Sequence, residues 1–303
     1  MKKSDPLLKP NTEFERLHYA TGELLGADDF RDEQTYHRRQ LARALLFLHG
    51  SGTIAGLRVV AQHLPGSDPS LDDVELEVEP GLALDRVGRL IEVPRPACLR
   101  LRRWYDFIAN QRPDNEKLDV DDLQSAFHPV EGRVIADVFL TFHPCDRGYT
   151  PAFASGPFDA LDASQPSRIR DAYELSLVLR PPPDPPAPLP GAFDPWAAIG
   201  DAPAADRLAA AQQASLDAWT TLSLPPPAAL PAAQNPTGAD ATAVLIARLS
   251  IPAGPAPDND SAPEPDWSAG TWADTAPGEN PNIDNTVRNF LLPPAALGHL
   301  LSP

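Results

Sequence analysis

A β-rich α+β domain, with a mixed or antiparallel sheet, one long N-terminal helix and long proline-rich insertions, is expected from three patterns in this 303-residue chain. Apolar residues between Asp28 and His49 recur at helical spacing, and several later segments alternate apolar and polar residues as half-buried strands do. The third pattern is proline: 37 residues, most of them beyond residue 150, where they interrupt the periodic segments.

The helix is the clearest element. Asp28 or Asp29 can cap it, and Asp32 and Glu33 lie in its first turn, where the dipole favours negative charge. Arg38, Arg39 and Arg43 follow, the preferred polarity. Phe30, Gln34, His37, Leu41, Ala44 and Leu48 form one stripe, widened by Leu45 and Phe47. The spacing is heptad-like, so the stripe reads either as a seam between subunits or as a face packed on the domain's own sheet. Phe30, His37, Leu41, Leu45 and Leu48, with Tyr19 and Tyr36 beside them, are the packing or interface candidates. Gly50 and Gly52 suit the helix end.

After this turn the period becomes two. Thr53–Val60 reads as a short apolar strand. Val74, Leu76 and Val78 alternate with Glu75, Glu77 and Glu79. Pro80-Gly81 turns the chain, and Val87-Gly88 sits in a hairpin that returns as Arg89–Val93. Cys98–Trp104 reads as a further strand, and 106–130 as a polar excursion with room for a short helix. Arg133–His143 and Tyr173–Leu179 are strands. Gly50, Gly52, Gly56, Gly81 and Gly88 are expected to serve backbone geometry. At Arg180 the composition changes to P-P-P-D-P-P-A-P-L-P, which favours extended polyproline geometry. An alanine-rich helix, Ala204–Leu222, follows. Ala243–Ile251 is a buried strand, a Pro/Asp/Trp-rich loop runs to Asn280, and Ile283–Leu292 gives a last strand. The organisation expected is an extended arm over 1–17, a core over 18–180, an insertion or linker over 181–240, and a C-terminal segment over 241–303 that completes the core.

The formal net charge is −17. Thirteen acidic and three basic side chains lie beyond Arg180. No dense Lys/Arg stripe offsets them, which argues against nucleic acid as a partner. Two cysteines, Cys98 and Cys145, make no disulfide framework and point to cytosolic synthesis. The start M-K-K-S-D-P-L-L-K-P lacks the apolar core of a signal peptide, and no apolar run of about 18 residues is present to span a membrane.

Chemistry-bearing residues are sparse. His143-Pro-Cys145 offers two metal ligands where four are usual, or a thiol with a nearby base. Ser51 stands between glycines without a G-x-S-x-G frame, and His49 suits a helix end. Asp258, Asp260, Glu264 and Asp266 gather acid without calcium-loop spacing. Trp267 and Trp272, on a loop, either stack on sugar or a partner, or pin the loop. No catalytic residue, cofactor or metal is assigned.

Three blocks carry a resemblance. Gly22–Tyr36 contains G-x-x-L-x-x-x-D-F-x-x-E-Q-x-Y; Leu48–Val59 is L-H-G-S-G-T-I-A-G-L-R-V; Pro80–Val93 is P-G-L-A-L-D-R-V-G-R-L-I-E-V. With Pro166–Leu175, Leu245–Leu249 and Ile283–Arg288 in the same order, they resemble an uncharacterised family encoded with contractile phage-tail-like particles, including extracellular contractile injection systems. Ser51 and Ala55 depart from the pattern, where an aromatic and a cysteine are expected. The resemblance implies a structural protein of the particle, at or near the baseplate, oligomeric and partnered by other particle proteins, and implies no catalytic residues. The alternatives are a carbohydrate- or surface-binding module using Trp267 and Trp272 and, further off, a hydrolase using Cys145 or Ser51.

Overall fold

A computed structural model describes residues 7, 15–66, 72–110, 119–151, 164–181, 197–221, 242–275, 279–293 and 296. The fold is α+β. Helix α1 (Ala27–His49) precedes two small antiparallel sheets and one larger one. The first small sheet holds β1 (Gly52–Gly56), β4 (Gly81–Leu84) and β5 (Leu90–Val93) in the order β1-β4-β5. The second holds β2 (Val59–Leu64), β3 (Asp73–Val78) and β6 (Ala97–Arg100), in the order β2-β3-β6. Helices α2 (Leu101–Ala109) and α3 (Val120–Ser125) follow, then β7 (Phe127–His128).

The large sheet is organised by β8 (Arg133–Pro151), whose first half is buried on both faces. It pairs along its length with β9 (Ser164–Leu179) and, over Arg133–Leu140, with β10 (Val244–Gly254). Short strands β11 (Glu264–Pro265) and β12 (Ile283–Asp284) add to the outer edge of β10. Helices α4 (Ala197–Asp201) and α5 (Arg207–Thr221) lie between β9 and β10. One apolar cluster runs from Leu57, Val74 and Ile91 through Val138 and Leu179 to Ile246, Leu249 and Trp272, so the C-terminal segment closes the same core that the earlier strands begin.

Inside that sheet a charge is buried. Asp137 on β8 is fully buried; it accepts from Arg180 Nε, just past the end of β9, at 2.6 Å and from Arg248 Nε on β10 at 2.7 Å. The carboxylate thus ties the three strands at a fixed register, which apolar packing alone specifies less sharply.

Several expectations need correcting. Thr53–Val60 is not one strand: Gly56 (φ 64°) and Leu57 (φ 58°) are consecutive left-handed residues, and the turn they make sends β1 and β2 into different sheets. Cys98–Trp104 changes from strand to helix at Leu101. Arg133–His143 continues as a strand to Pro151, and Tyr173–Leu179 begins earlier, at Ser164, because the two form one long hairpin. Ile283–Leu292 is regular strand only at Ile283 and Asp284; further on, Phe290 makes an isolated parallel bridge to Thr53, and Asn285, Arg288 and Asn289 pair through their side chains. The alanine-rich helix starts at Arg207 rather than Ala204, and Leu222 lies outside the described residues. Neither Asp28 nor Asp29 occupies the cap position of α1. Gly26 does, and Asp29 reaches back from the first turn to accept the Gly26 N–H at 2.7 Å. The segment 1–17 is not wholly an arm: Leu7 is buried with Ala42 and Val87. Most of the proline-rich insertion over 181–240 and most of Pro293–Leu301 lie outside the described residues.

Candidate interaction surface

Helix α1 has two stripes, and the structure buries the less obvious one. Thr35, Ala42 and Leu46 face inward. What they meet explains their size. Gly88, at φ 85° in the β4–β5 turn, sits so close to the helix that an added Cβ would lie 1.9 Å from the Ala42 carbonyl oxygen. Only small side chains fit where backbone meets backbone. Leu46 packs further along against Ala218 of α5, with Phe47 beside them.

The turn that presses on α1 is itself held rigidly. Asp85 is fully buried and accepts the N–H groups of Val87 (2.9 Å) and Arg89 (2.8 Å) and the Arg89 Nε (2.6 Å). Arg89 also donates to Thr242 Oγ1 at 3.0 Å and lies 4.7 Å over the Phe142 ring. The P-G-L-A-L-D-R-V-G block is therefore a structural turn, built to seat the helix.

With its inner face so occupied, α1 turns the bulkier stripe outward. Phe30 is 50% exposed, Leu41 62% and Leu48 76%; Gln34, His37 and Ala44 are exposed with them. This stripe is not packed on the chain's own sheet, and the intrachain reading of Phe30, His37, Leu41 and Leu48 is set aside. Tyr36 and Leu45 are half-buried at its margins, and the rings of Tyr36 and His37 meet edge to face at 5.4 Å. Leu24 and Tyr19, preceding the helix, are exposed too. A hydrogen bond with the Glu33 carboxylate pushes the Tyr19 phenol above its usual range, which ties the tyrosine to the first turns of α1. From Phe30 to Leu48 the ridge is about 27 Å long at helical rise.

The expected geometric glycines divide by cause. Gly56 and Gly81 are register partners whose backbones touch: a Cβ on Gly56 would lie 2.1 Å from the Pro80 carbonyl oxygen. Gly52 is closed by the Asn289 backbone, 2.5 Å from the same construction. Gly50, at φ 77°, ends the helix in open space.

The C-terminal I-D-N-T-V-R-N-F segment works through side chains that the sequence pattern did not single out. Asn285 accepts the Val59 N–H and donates to the Val59 carbonyl, both at 2.9 Å, so one amide imitates a strand partner. Arg288 donates to the Leu57 carbonyl and to Asn285, holding the left-handed turn; burial pushes its guanidinium down to about 10. Asn289 donates to the Ser51 carbonyl at 2.6 Å, which places Ser51 in a buried turn.

The chemical candidates stay apart. His143 and Cys145 lie two residues apart on β8, and His143 Nδ1 faces Glu174 at 3.6 Å. His49 is exposed in the last turn of α1. Among the described residues, no group of three or more His, Cys, Asp or Glu side chains gathers as a metal site would require. Asp258 caps its own loop, accepting the Asp260 N–H at 3.0 Å.

Trp267 and Trp272 are buried, 8% and 2% exposed, and stacked on each other with centroids 6.1 Å apart. Tyr105 meets Trp267 edge-on, and Trp272 Nε1 donates to the Asp266 carbonyl at 2.8 Å. These rings pin the loop to the core and offer no open face to a sugar. The loop closes around the Asp266 carboxylate, which accepts from Thr271 Oγ1 and the Ser268 N–H; those bonds, Thr271 first, hold its carboxyl below the usual range.

No family model and no curated protein sequence matches this chain. No helix among the described residues is long and apolar enough to cross a membrane. The surface that stands out is thus the outer ridge of α1.

Proposed function

We propose that this chain is a structural component of a contractile tail-like injection particle, at or near the baseplate, and that it acts through protein–protein assembly. The observation carrying the proposal is the ridge of Phe30, Leu41 and Leu48, apolar, unburied and mounted on a helix whose opposite face meets Gly88 at Ala42. Exposed apolar surface of this extent, on a helix that buries only Thr35, Ala42 and Leu46, suits a permanent neighbour. The order of sequence blocks resembling particle-encoded proteins supports the same reading. Those blocks correspond to structural devices: the capped start of α1, the β1–β2 turn, the β4–β5 turn and the Asn285–Arg288 clamp.

The test is to tag the protein, purify sheath-containing particles from the native host and quantify it by mass spectrometry, with electron microscopy to map it. Fixed stoichiometry on the particle is expected. A chain found only in the soluble fraction would sink the proposal. In the same experiment the Leu41→Asp/Leu48→Asp variant should fold normally and be missing from particles.

A further inference from the structure

The long β8–β9 hairpin leaves the body of the protein part-way along. β10 covers β8 only as far as Leu140, and beyond Phe142 the two strands pair with each other alone. From Asp146 to Pro151 on β8 and from Pro166 to Arg170 on β9 every described side chain is exposed. This is a projecting two-stranded arm, a structure that is marginal by itself in water.

The arm's chemistry is unlike the rest of this acidic chain. Arg147 is the direct cross-strand partner of Arg168, and Arg170 opposes Cys145, so three arginines share one face. Like charges placed directly opposite cost stability in an isolated hairpin. Among the described residues no carboxylate forms an ion pair with any of the three. Tyr149, 69% exposed and on the same face, supplies apolar area beside them, while Ile169 lies on the opposite face, across from Asp146. An arm of this composition fits an acidic surface with an apolar floor.

The chain carries such a surface at the other end of the same strand. Where β7 pairs with the start of β8, an open groove of about 310 Å³ is lined by Phe127, Pro257, Pro263, Gln124, Asp258 and Asn259. Asp258 is exposed in that lining, and Asp260 and Glu264 (the first residue of β11), each next in sequence to a lining residue, are exposed as well. Gln124 fixes that loop by donating to the carbonyls of Asn259 and Ser261, at 2.9 and 2.7 Å. Val134, the register partner of Phe127, and Tyr149 lie on one strand, on the order of 50 Å apart at strand rise. A basic arm and an acidic groove at opposite poles of a rigid strand cannot meet within one molecule, but they can meet between two.

We propose that the β8–β9 arm of one copy docks by Arg147, Arg168, Arg170 and Tyr149 into the Asp258 groove of a second copy, head to tail. The contact is heterologous, so it propagates as a ring or a short filament. It extends the assembly reading by naming a second copy of this chain as one neighbour, and its test needs no particle.

Two variants decide it. Arg147→Glu/Arg168→Glu reverses the arm and leaves the groove intact. Asp260→Lys/Glu264→Lys reverses the charge at the margin of the groove and leaves the arm and the Asp258 turn intact. All changes are at exposed positions, and circular dichroism melts verify that both variants fold. In sedimentation velocity the wild-type chain should self-associate with rising concentration, and each variant alone should be monomeric. An equimolar mixture should form a dimer and nothing larger, because only one functional arm and one functional groove remain in each pair. Wild-type-like association of either variant would overturn the proposal. So would a wild-type chain that stays monomeric at every concentration, which would hand the arm to a different acidic protein. Particle incorporation without self-association would defeat this proposal alone; self-association without particle incorporation would defeat only the functional reading.

Discussion

Single residues in this protein are fixed by contacts far away in sequence, and glycine shows it most sharply. Gly88→Ala would place a methyl group 1.9 Å from the Ala42 carbonyl oxygen at a left-handed φ, so helix and turn must separate. Gly50→Ala meets nothing within 4 Å and suffers only from its φ of 77°. Urea denaturation should show a loss of about 1–3 kcal/mol for Gly50→Ala, from backbone strain alone, and a larger loss, at least about 3 kcal/mol, for Gly88→Ala, where overpacking adds to the backbone strain. Asp137→Ala should cost about 3–5 kcal/mol in the same assay, since it strands Arg180 and Arg248 beside the core. The sequence marked the glycines as geometric, yet it could not reveal what touches them. Asp85 and Asn285 went unnoticed for the same reason: an aspartate in a turn and an asparagine in a tail are ordinary until their partners are known, and Val59 lies 226 residues from Asn285.

Elements were legible where one period dominates a segment, and misread where chain geometry overrides it. The helix over 27–49 and the strands around Val74–Val78 and Ala243–Ile251 follow their apolar periods. The face of α1 did not, because hydrophobicity ranks Leu41 and Leu48 above Thr35 and Ala42, whereas the interior selects for smallness against Gly88. Leu46→Asp should therefore destabilise the fold by at least about 3 kcal/mol, while Leu41→Asp/Leu48→Asp should leave the thermal midpoint nearly unchanged and act only on incorporation. The tryptophan loop makes a separate prediction. Asp266 has a depressed pKa in the folded loop, so its contribution to stability is present above the unfolded aspartate value, about 3.9, and is lost as pH falls through the folded one. Tryptophan fluorescence followed during acidification should report the loop opening below that unfolded value. Asp266→Asn should lack that component of the transition.

At the scale of the whole molecule, one strand sets both the shape and the polarity. β8 binds the core with its first half and carries the arginine arm with its second, while the acidic groove lies at its start. Contacts made by exposed charges are screened by salt, so the proposed head-to-tail association should weaken as ionic strength rises, measurable as a falling weight-average sedimentation coefficient. The same strand also has a temporal side. Its partner on one edge, β9, arrives soon after it in the chain, but its partner on the other, β10, is separated from it by two helices and the proline-rich stretch; Arg248 lies 111 residues beyond Asp137. During synthesis, β8 must wait with one row of amides unmatched, and Asp137 with Arg180 alone, until the ribosome has delivered Arg248. Such a chain folds late and carries a sticky edge meanwhile. Its yield in the cell is accordingly governed by what shelters that edge during translation.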